Sequence, residues 1–478
     1  MKFNSKQKSL STKTVNRAGG EAFKESDKLA FVSLLLTSFV EDQFYRSKDQ
    51  TLTELNDFIA KFPEFAAKAA IYARDNFGMR SITHATASEV VRLVKGETWT
   101  KHFIENVVIR PDDMNNIVAA YISKVGRRPL PNSLKKGLAL AFRKFDAYQI
   151  AKYKQSDKDV SLVDLVNLVH PVPQDKNEVA LSKLIRDELV SENTYESKLS
   201  KAGQSENKEE AKAEAWRELL ESGKIGYFAL LRNLRNINDQ APEMIDRACE
   251  LLTKENTILR SRVLPFRYYT ATEALSPRQT DRRLIVAIQK ALDISLANVP
   301  KLDGKTLIAL DKSGSMQGKP FEIGSLFAAA LYKTNDADMM LFDDQAFYVS
   351  PNPTDSIQTI AASFAKYAMN GTDFHTIFKK AEKAYDRIII LSDEQGWVGY
   401  NNPSRSLQAY KAKFSCNPHI YSFDLQGQGT LQFPEEQVYA LAGFSEKVFD
   451  IMKLLETDKN ALINTIEAIS LEGKNGQK

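Results

Sequence analysis

Cysteine is almost missing from this chain: Cys249 and Cys416 are the only two in 478 residues. Two cysteines cannot build a disulfide framework or a cysteine zinc site, which points to a reducing, cytoplasmic setting. Histidine is scarce as well. Its five residues contain no HxxxH pair, which argues against a zinc hydrolase. Long hydrophobic runs are also lacking. The longest, residues 29–40, has twelve residues and includes serine and threonine. A membrane span needs about 20, so this stretch reads as a buried helix and no membrane partner is expected. The opening MKFNSKQKSLSTKTVNRAGG has no apolar core of the kind a signal peptide carries. Residues 1–13 are expected to be flexible.

One region lacks acid. Between residues 124 and 154 there are nine Lys or Arg and a single acid, Asp146. That window carries +8 in a chain whose net charge is +4, so the remainder sums to −4. The composition is otherwise that of an ordinary soluble protein, 43% hydrophobic and 26% charged. The length implies more than one core.

Two periodicities divide the chain. From about residue 26 to 298, segments such as LTELNDFIAKFPEFAAKAAIYARDN repeat apolar residues every three or four positions. Helices separated by short polar breaks read as antiparallel pairs stacked into an α-solenoid, without a clean sequence period. Residues 191–221 read as an exposed helix or connection, and LANVPKLDGK, residues 296–305, as the linker. After it, short apolar runs (TLIAL, DMMLF, RIIIL, HIYSFDL) alternate with helical segments at residues 321–334 and 373–385. Such βα units imply a doubly wound parallel sheet covered on both faces, a Rossmann-like α/β domain. Ligands of such sheets bind beyond the strands' carboxyl ends.

Asp311 ends one of those strands and begins DKSGS, which places Ser313 and Ser315 on the same turn. A carboxylate and two hydroxyls are hard oxygen donors, suited to magnesium rather than zinc or copper. Thr372, in NGTDF, and Asp393, after RIIIL, point to the same rim. Alone, DKSGS is equally a helix N-cap with a turn. A strand-end aspartate can also be a phosphoryl-accepting nucleophile, but no general base stands beside it.

The acid-poor window has its own pattern. At 100° per residue, Leu134, Leu138, Phe142 and Phe145 share one helix face, with Lys136 and Arg143 nearly opposite and Lys135 and Lys144 flanking. Arg127, Arg128, Lys152 and Lys154 lie at the ends, and Tyr148 and Tyr153 are placed to stack on bases. A solvated face normally mixes signs. Nine cations with one acid favour a polyanion, nucleic acid above all.

The ordered set of D-x-S-x-S, Gly-Thr and a strand-end Asp resembles the metal-ion-dependent adhesion site of von Willebrand factor A domains. That resemblance implies Asp311, Ser313, Ser315, Thr372 and Asp393 as ligands of a divalent metal, most simply magnesium. Upstream, NRAGGEAFKESDKLAFVSLLLTSF, YARDNFGMRS, SLKKGLALAFRKFDAYQIAKYKQ, SLVDLVNLVHP, GYFALLRNLRNI and VLPFRYYTAT resemble the TROVE module of Ro ribonucleoproteins. The family implies a HEAT-like helical ring over residues 14–298 and an A-like domain over 299–478. It also implies binding of small noncoding Y-type RNA and of single-stranded ends of misfolded RNA, in RNA quality control. Position by position, Lys152, Lys154 and His170 match its RNA-contacting stretch, with Lys135, Lys136, Arg143 and Lys144 on the helix before it. Arg232 and Arg235, in LLRNL, are read as structural. An exoribonuclease reached through the RNA is an implied partner, and a monomer is expected. The chain is compact between the motifs, as in a bacterial or phage member. Competing readings are an interaction scaffold whose A domain grips an acidic partner, and a metal-dependent phosphohydrolase.

Overall fold

The structure of the protein, a computed structural model, describes residues 12–15, 21–24, 27–37, 48–126, 129–154, 160–189, 198–199, 202–223, 225–261, 263, 265–275, 279–299, 301–367, 370–396, 404–425, 430–431, 438–442, 452 and 461–472. Packing divides the chain into two units: residues 25–194 with 426–429 and 457–478, and residues 1–24, 195–425 and 430–456.

The first unit is helical. Proline opens helices Pro63–Phe77 and Pro111–Val125, where its fixed φ suits the first turn and its missing N–H costs nothing. Gly78, at φ +66°, closes the former by donating its N–H to the Ala73 carbonyl. The apolar run read as a buried helix forms Asp27–Thr37, with Phe31, Val32 and Leu34 to Leu36 buried. Helix Thr100–Val107 packs on Asn132–Phe142 through Gly137. A Cβ there would lie 2.5 Å from Ile104 Cβ and 2.6 Å from the Lys101 carbonyl, so only glycine permits the approach. The C-terminal helix Ala461–Glu467 packs on Pro63–Phe77.

A buried carboxylate ties three of these helices together. Asp113 is inaccessible to solvent and accepts from Arg74 at 2.9 Å, His84 Nε2 at 2.9 Å, and the amides of Ile109 and Arg110 at 3.0 and 2.9 Å. Arg80 and Arg110 both hold neighbouring Asp112. Burial, the largest influence on Asp113, opposes ionisation. Hydrogen bonding from His84, the charge of Arg74 and the Arg110 amide outweigh it, so its pKa sits far below the usual carboxylate range.

The second unit joins helices after residue 194 to a sheet. Helix Lys208–Glu221, from the charged stretch, buries Trp216, whose indole donates to Gln240 at 3.0 Å. Helix Pro265–Glu273 packs on helix Lys319–Thr334, and Gln358 donates to Thr272 at 3.2 Å. These contacts place the later helices with the sheet, although the periodicity changes only at the linker.

Strands β1 (Thr12–Val15) and β2 (Glu21–Lys24) form a hairpin; β3 (Thr306–Asp311), β4 (Ala337–Phe342), β5 (Ala346–Val349), β6 (Arg387–Ser392) and β7 (His419–Asp424) follow. β8 (Thr430–Leu431) pairs with β2, and β9 (Val438–Ala442) completes the main sheet, ordered β5-β4-β3-β6-β7-β9. Residues 12 and 13, expected to be flexible, belong to β1, where β-branched residues pair with β2; residues 1–11 lie outside the described residues. Every residue of β3 and β6 is buried, as a central parallel strand requires. The sheet departs from the parallel expectation at β5, which is antiparallel to β4. Only residues 343–345 join the two, too few for a crossover. The segment expected as helix 373–385 is helical only over His375–Lys380. Beyond it, the Tyr385 amide donates to the Tyr410 hydroxyl at 3.0 Å as the chain extends into β6.

Removing the Asp113 carboxylate leaves Arg74 buried without its counter-ion, so Asp113→Ala should lose about 3–5 kcal/mol in urea unfolding at pH 7. Because the folded pKa is depressed, this contribution is complete above the unfolded value near pH 4 and disappears as acid protonates the group. Wild type should therefore lose stability between pH 5 and pH 2 more steeply than Asp113→Asn. Parallel pH profiles would show that Asp113 is not the hub.

Candidate functional site

The chain leaves β3 toward β4 on one side and returns to β6 on the other, so the carboxyl ends of β3 and β6 flank the sheet's switch point. Their pairing, Leu310 opposite Leu391, brings Asp311 beside Ser392, whose hydroxyl donates to Asp311 Oδ2 at 2.5 Å. Asp393 is the next residue. The turn after β3 folds back on Asp311: the Ser313 amide donates to Asp311 Oδ1 at 2.8 Å, and the Ser313 and Ser315 hydroxyls are 3.3 Å apart. Ser315 in turn hydrogen-bonds Asp393. Asp311, Ser313, Thr372 and Asp393 are buried and Ser315 is partly so.

The loop carrying Thr372 is fastened to the same turn. The Gly314 amide donates to the Asn370 carbonyl at 3.0 Å, and the Asp373 amide to the Asp343 carbonyl at 2.7 Å. Asp343 is a residue the sequence reading missed. Its carboxylate pairs with buried Lys312 and accepts from Asn370 at 3.0 Å, holding three loops in register. It follows the apolar strand DMMLF as Asp393 follows RIIIL, and that parallel was the available signal. Asp424 was missed too. It is buried at the end of β7, opposite Ser392 in register.

Two carboxylates therefore share one dry rim. Burial, against hydrogen bonds from Ser392 and Ser313, pushes Asp311 up to about 6. Burial and then the charge of Asp311 push Asp393 up to about 7, opposed by Ser315 and the Gln395 amide, with Asp424 adding to the rise. Asp393 Oδ2 is buried with no hydrogen-bond partner among the described residues. An orphaned carboxylate oxygen, with the Ser313 and Ser315 hydroxyls on the turn that meets Asp393, is a donor set that suits a small hard cation. Among the described residues no three His, Cys, Asp or Glu side chains cluster as a metal site, so the hydroxyls are essential to any such role.

The basic segment is not one helix. Asn132–Phe142 ends before Arg143, and Asp146 starts Ala147–Lys152 with a capping box in which its carboxylate accepts from the Gln149 amide at 2.8 Å. The apolar stripe packs as expected, with Leu134, Leu138, Phe142 and Phe145 buried. The cations separate into two groups. Lys144 turns inward onto the carbonyls of Glu105 and Val108, at the end of helix Thr100–Val107. Lys154 pairs with Asp187 at 2.8 Å and reaches the Leu189 carbonyl. These two, expected among the RNA-contacting cations, are occupied by the protein itself. Lys136 is exposed, Lys135, Arg143 and Lys152 are partly so, and none has an ion-pair partner among the described residues.

Tyr148 is exposed, whereas Tyr153 lies under Arg110 at 4.6 Å and near Lys152 at 5.6 Å. His170 caps helix Leu162–Val169 at φ +46°, through its own amide, and is exposed. Arg127 and Arg128 lie outside the described residues. Arg232 is exposed, 5.9 Å from the Phe228 ring.

Comparisons with known proteins agree with this architecture. The TROVE domain model matches residues 32–211 and 186–294, and the Ro60 vWA domain model matches residues 305–455. The RNA-binding protein RO60 of Deinococcus radiodurans is 26% identical over 238 residues, 44% of each chain. Telomerase protein component 1 of Rattus norvegicus is 21% identical over 353 residues, 54% of this chain and 13% of its own. The chain thus spans less than half the length of these curated relatives. The crystal structure of the Deinococcus radiodurans RO (RSR) protein shares the fold, with a TM-score of 0.59 at 17% identity, covering 89% of this chain and 98% of that one.

With no cation present, Asp393→Asn relieves a like-charge contact at the rim. Its melting temperature in chelator at pH 7.5 should exceed that of wild type by a few degrees. A lower value would mean that the carboxylate is needed for packing.

Proposed function

The chain belongs to the Ro family, joining a TROVE domain to a von Willebrand factor A-like domain, and on that premise we propose that it is a non-enzymatic RNA-binding protein. The observation that carries this reading is the cationic group of exposed Lys136 and partly exposed Lys135, Arg143 and Lys152, which form no ion pair with a carboxylate among the described residues. A phosphate backbone supplies that charge, and His170 and Tyr148, both exposed, extend the surface. By family likeness the ligands are small Y-type RNAs and the single-stranded ends of misfolded RNA. The setting is cytoplasmic RNA quality control, with an exoribonuclease as the RNA-linked partner. Lys144 supports this surface from within by fixing the end of helix Thr100–Val107, and Lys154 by holding Asp187 and the Leu189 carbonyl.

Phosphate contacts make binding salt-dependent. Six contacts to a single strand give a log–log slope near −4, about −0.7 for each. Replacing Lys135, Lys136 and Arg143 with Glu should weaken binding of a hairpin RNA with single-stranded tails at least about 100-fold at 0.1 M salt, from three lost contacts and added repulsion. Lys144 stays in place because its loss would unseat a helix end. Unchanged affinity in a folded variant would refute the placement.

The orphaned Asp393 oxygen favours a second activity in the A-like domain. Asp311, Ser313, Ser315, Thr372 and Asp393 would hold magnesium, which when bound offsets the two carboxylates and offers an open position to an acidic partner's oxygen. Magnesium should raise the melting temperature of wild type, and Ser313→Ala with Ser315→Ala should remove that rise. Identical melting curves with and without the ion would exclude the site.

A further inference from the structure

The basic face continues into a cleft that the sequence did not reveal. Val91, Val94 and Pro131 supply its apolar lining. Lys95, Gly96, Glu97, Thr98, Lys101, Asn132, Ser133 and Lys136 surround a space of about 380 Å³. Its three lysines come from separate places: Lys95 from the loop after helix Ser81–Leu93, Lys101 from helix Thr100–Val107, and Lys136 from helix Asn132–Phe142.

The helix crossing at Gly137 brings them together. The Lys101 carbonyl lies within 2.6 Å of where a Cβ of Gly137 would be, and this close helix contact sets Lys101 and Lys136 on one lining. Lys95 and Lys136 are exposed and Lys101 is partly so, and none forms an ion pair with a described residue. Glu97 is the one acid on the lining, exposed and likewise without an ion pair among the described residues. Three like charges around one concave space repel one another, and Glu97 alone opposes them on the lining, which leaves an excess of positive charge there. A concave, cationic site walled by hydroxyl and amide side chains matches a phosphodiester in charge and hydrogen bonding.

We propose that this cleft seats backbone phosphates of the bound RNA strand, with Lys95 and Lys101 as contact residues beyond the exposed face. This inference rests on the RNA-binding reading and extends its site. The strand enters past Lys136, which belongs to both surfaces. Recognition is of the phosphate, so the contribution is independent of base sequence.

The test uses the full chain and a 20-nucleotide oligouridine, with affinity measured from 0.05 to 0.5 M salt. Lys95→Gln with Lys101→Gln removes two contacts. At about 0.7 of slope for each, the log–log slope should flatten by about 1.4, and affinity at 0.1 M salt should fall about twentyfold. Lys95→Arg with Lys101→Arg keeps the charge and should retain wild-type binding, which separates charge from packing. If the Gln pair binds as wild type does while the Lys135, Lys136 and Arg143 reversal loses affinity, the cleft inference is overturned and the RNA-binding reading stands. If neither variant loses affinity, both fail. If inorganic phosphate raises the melting temperature of wild type but not of the Gln pair, and RNA affinity is equal in both, the cleft serves small phosphates instead, which also overturns the inference.

Discussion

A carboxylate removed from water must find its donors within the protein, and both units are organised around that requirement. Asp113 meets it completely, with three side chains and two backbone amides. The result is a dry, ionised hub that orients three helices and, through them, the surface on which the basic residues stand. At the sheet rim the requirement is met only in part. Asp311 is held by Ser392 and the Ser313 amide, but one oxygen of Asp393 has no donor among the described residues. The same chemistry thus marks a structural joint in one place and a ligand-seeking site in the other. What separates them is the count of donors, not the residue type.

Positive charge follows a similar logic. A lysine beside a helix's last carbonyls is drawn to them, because those groups lack partners within the helix. Lys144 is spent in this way and Lys154 is held by Asp187, while Lys136 is exposed to solvent and Lys135 and Arg143 are partly so. Equal contributions to net charge therefore do different work. The close crossing at Gly137 adds Lys101 to the outward group, although in sequence it lies far from the acid-poor window.

Much of this was legible beforehand. The three-to-four periodicity of Leu134, Leu138, Phe142 and Phe145 identified a buried stripe, because helix geometry alone places them on one face. The apolar runs ending in Asp311 and Asp393 located the rim, since parallel strands run the same way and end on the same side. Where the reading failed, a capping bond, a short connection or an ion pair decided the outcome. The Asp146 capping box split the basic helix, and the short connection after Phe342 turned β5 back on β4. The pairing of Asp343 with Lys312 joined residues from different loops. None of these leaves a hydrophobic period to read.

The sequence by itself determined the two kinds of secondary structure, the family, and which residue types offer hard oxygen or positive charge. Secondary structure and residue chemistry are properties of periodicity and composition, and the family is a property of the resemblance its ordered motifs carry; all are written in neighbours along the chain. Only the tertiary structure decided which lysines are satisfied internally, which carboxylate oxygen is orphaned, and which distant cations line one cleft. Those outcomes depend on desolvation and on distances of a few ångströms between segments that the chain order keeps far apart.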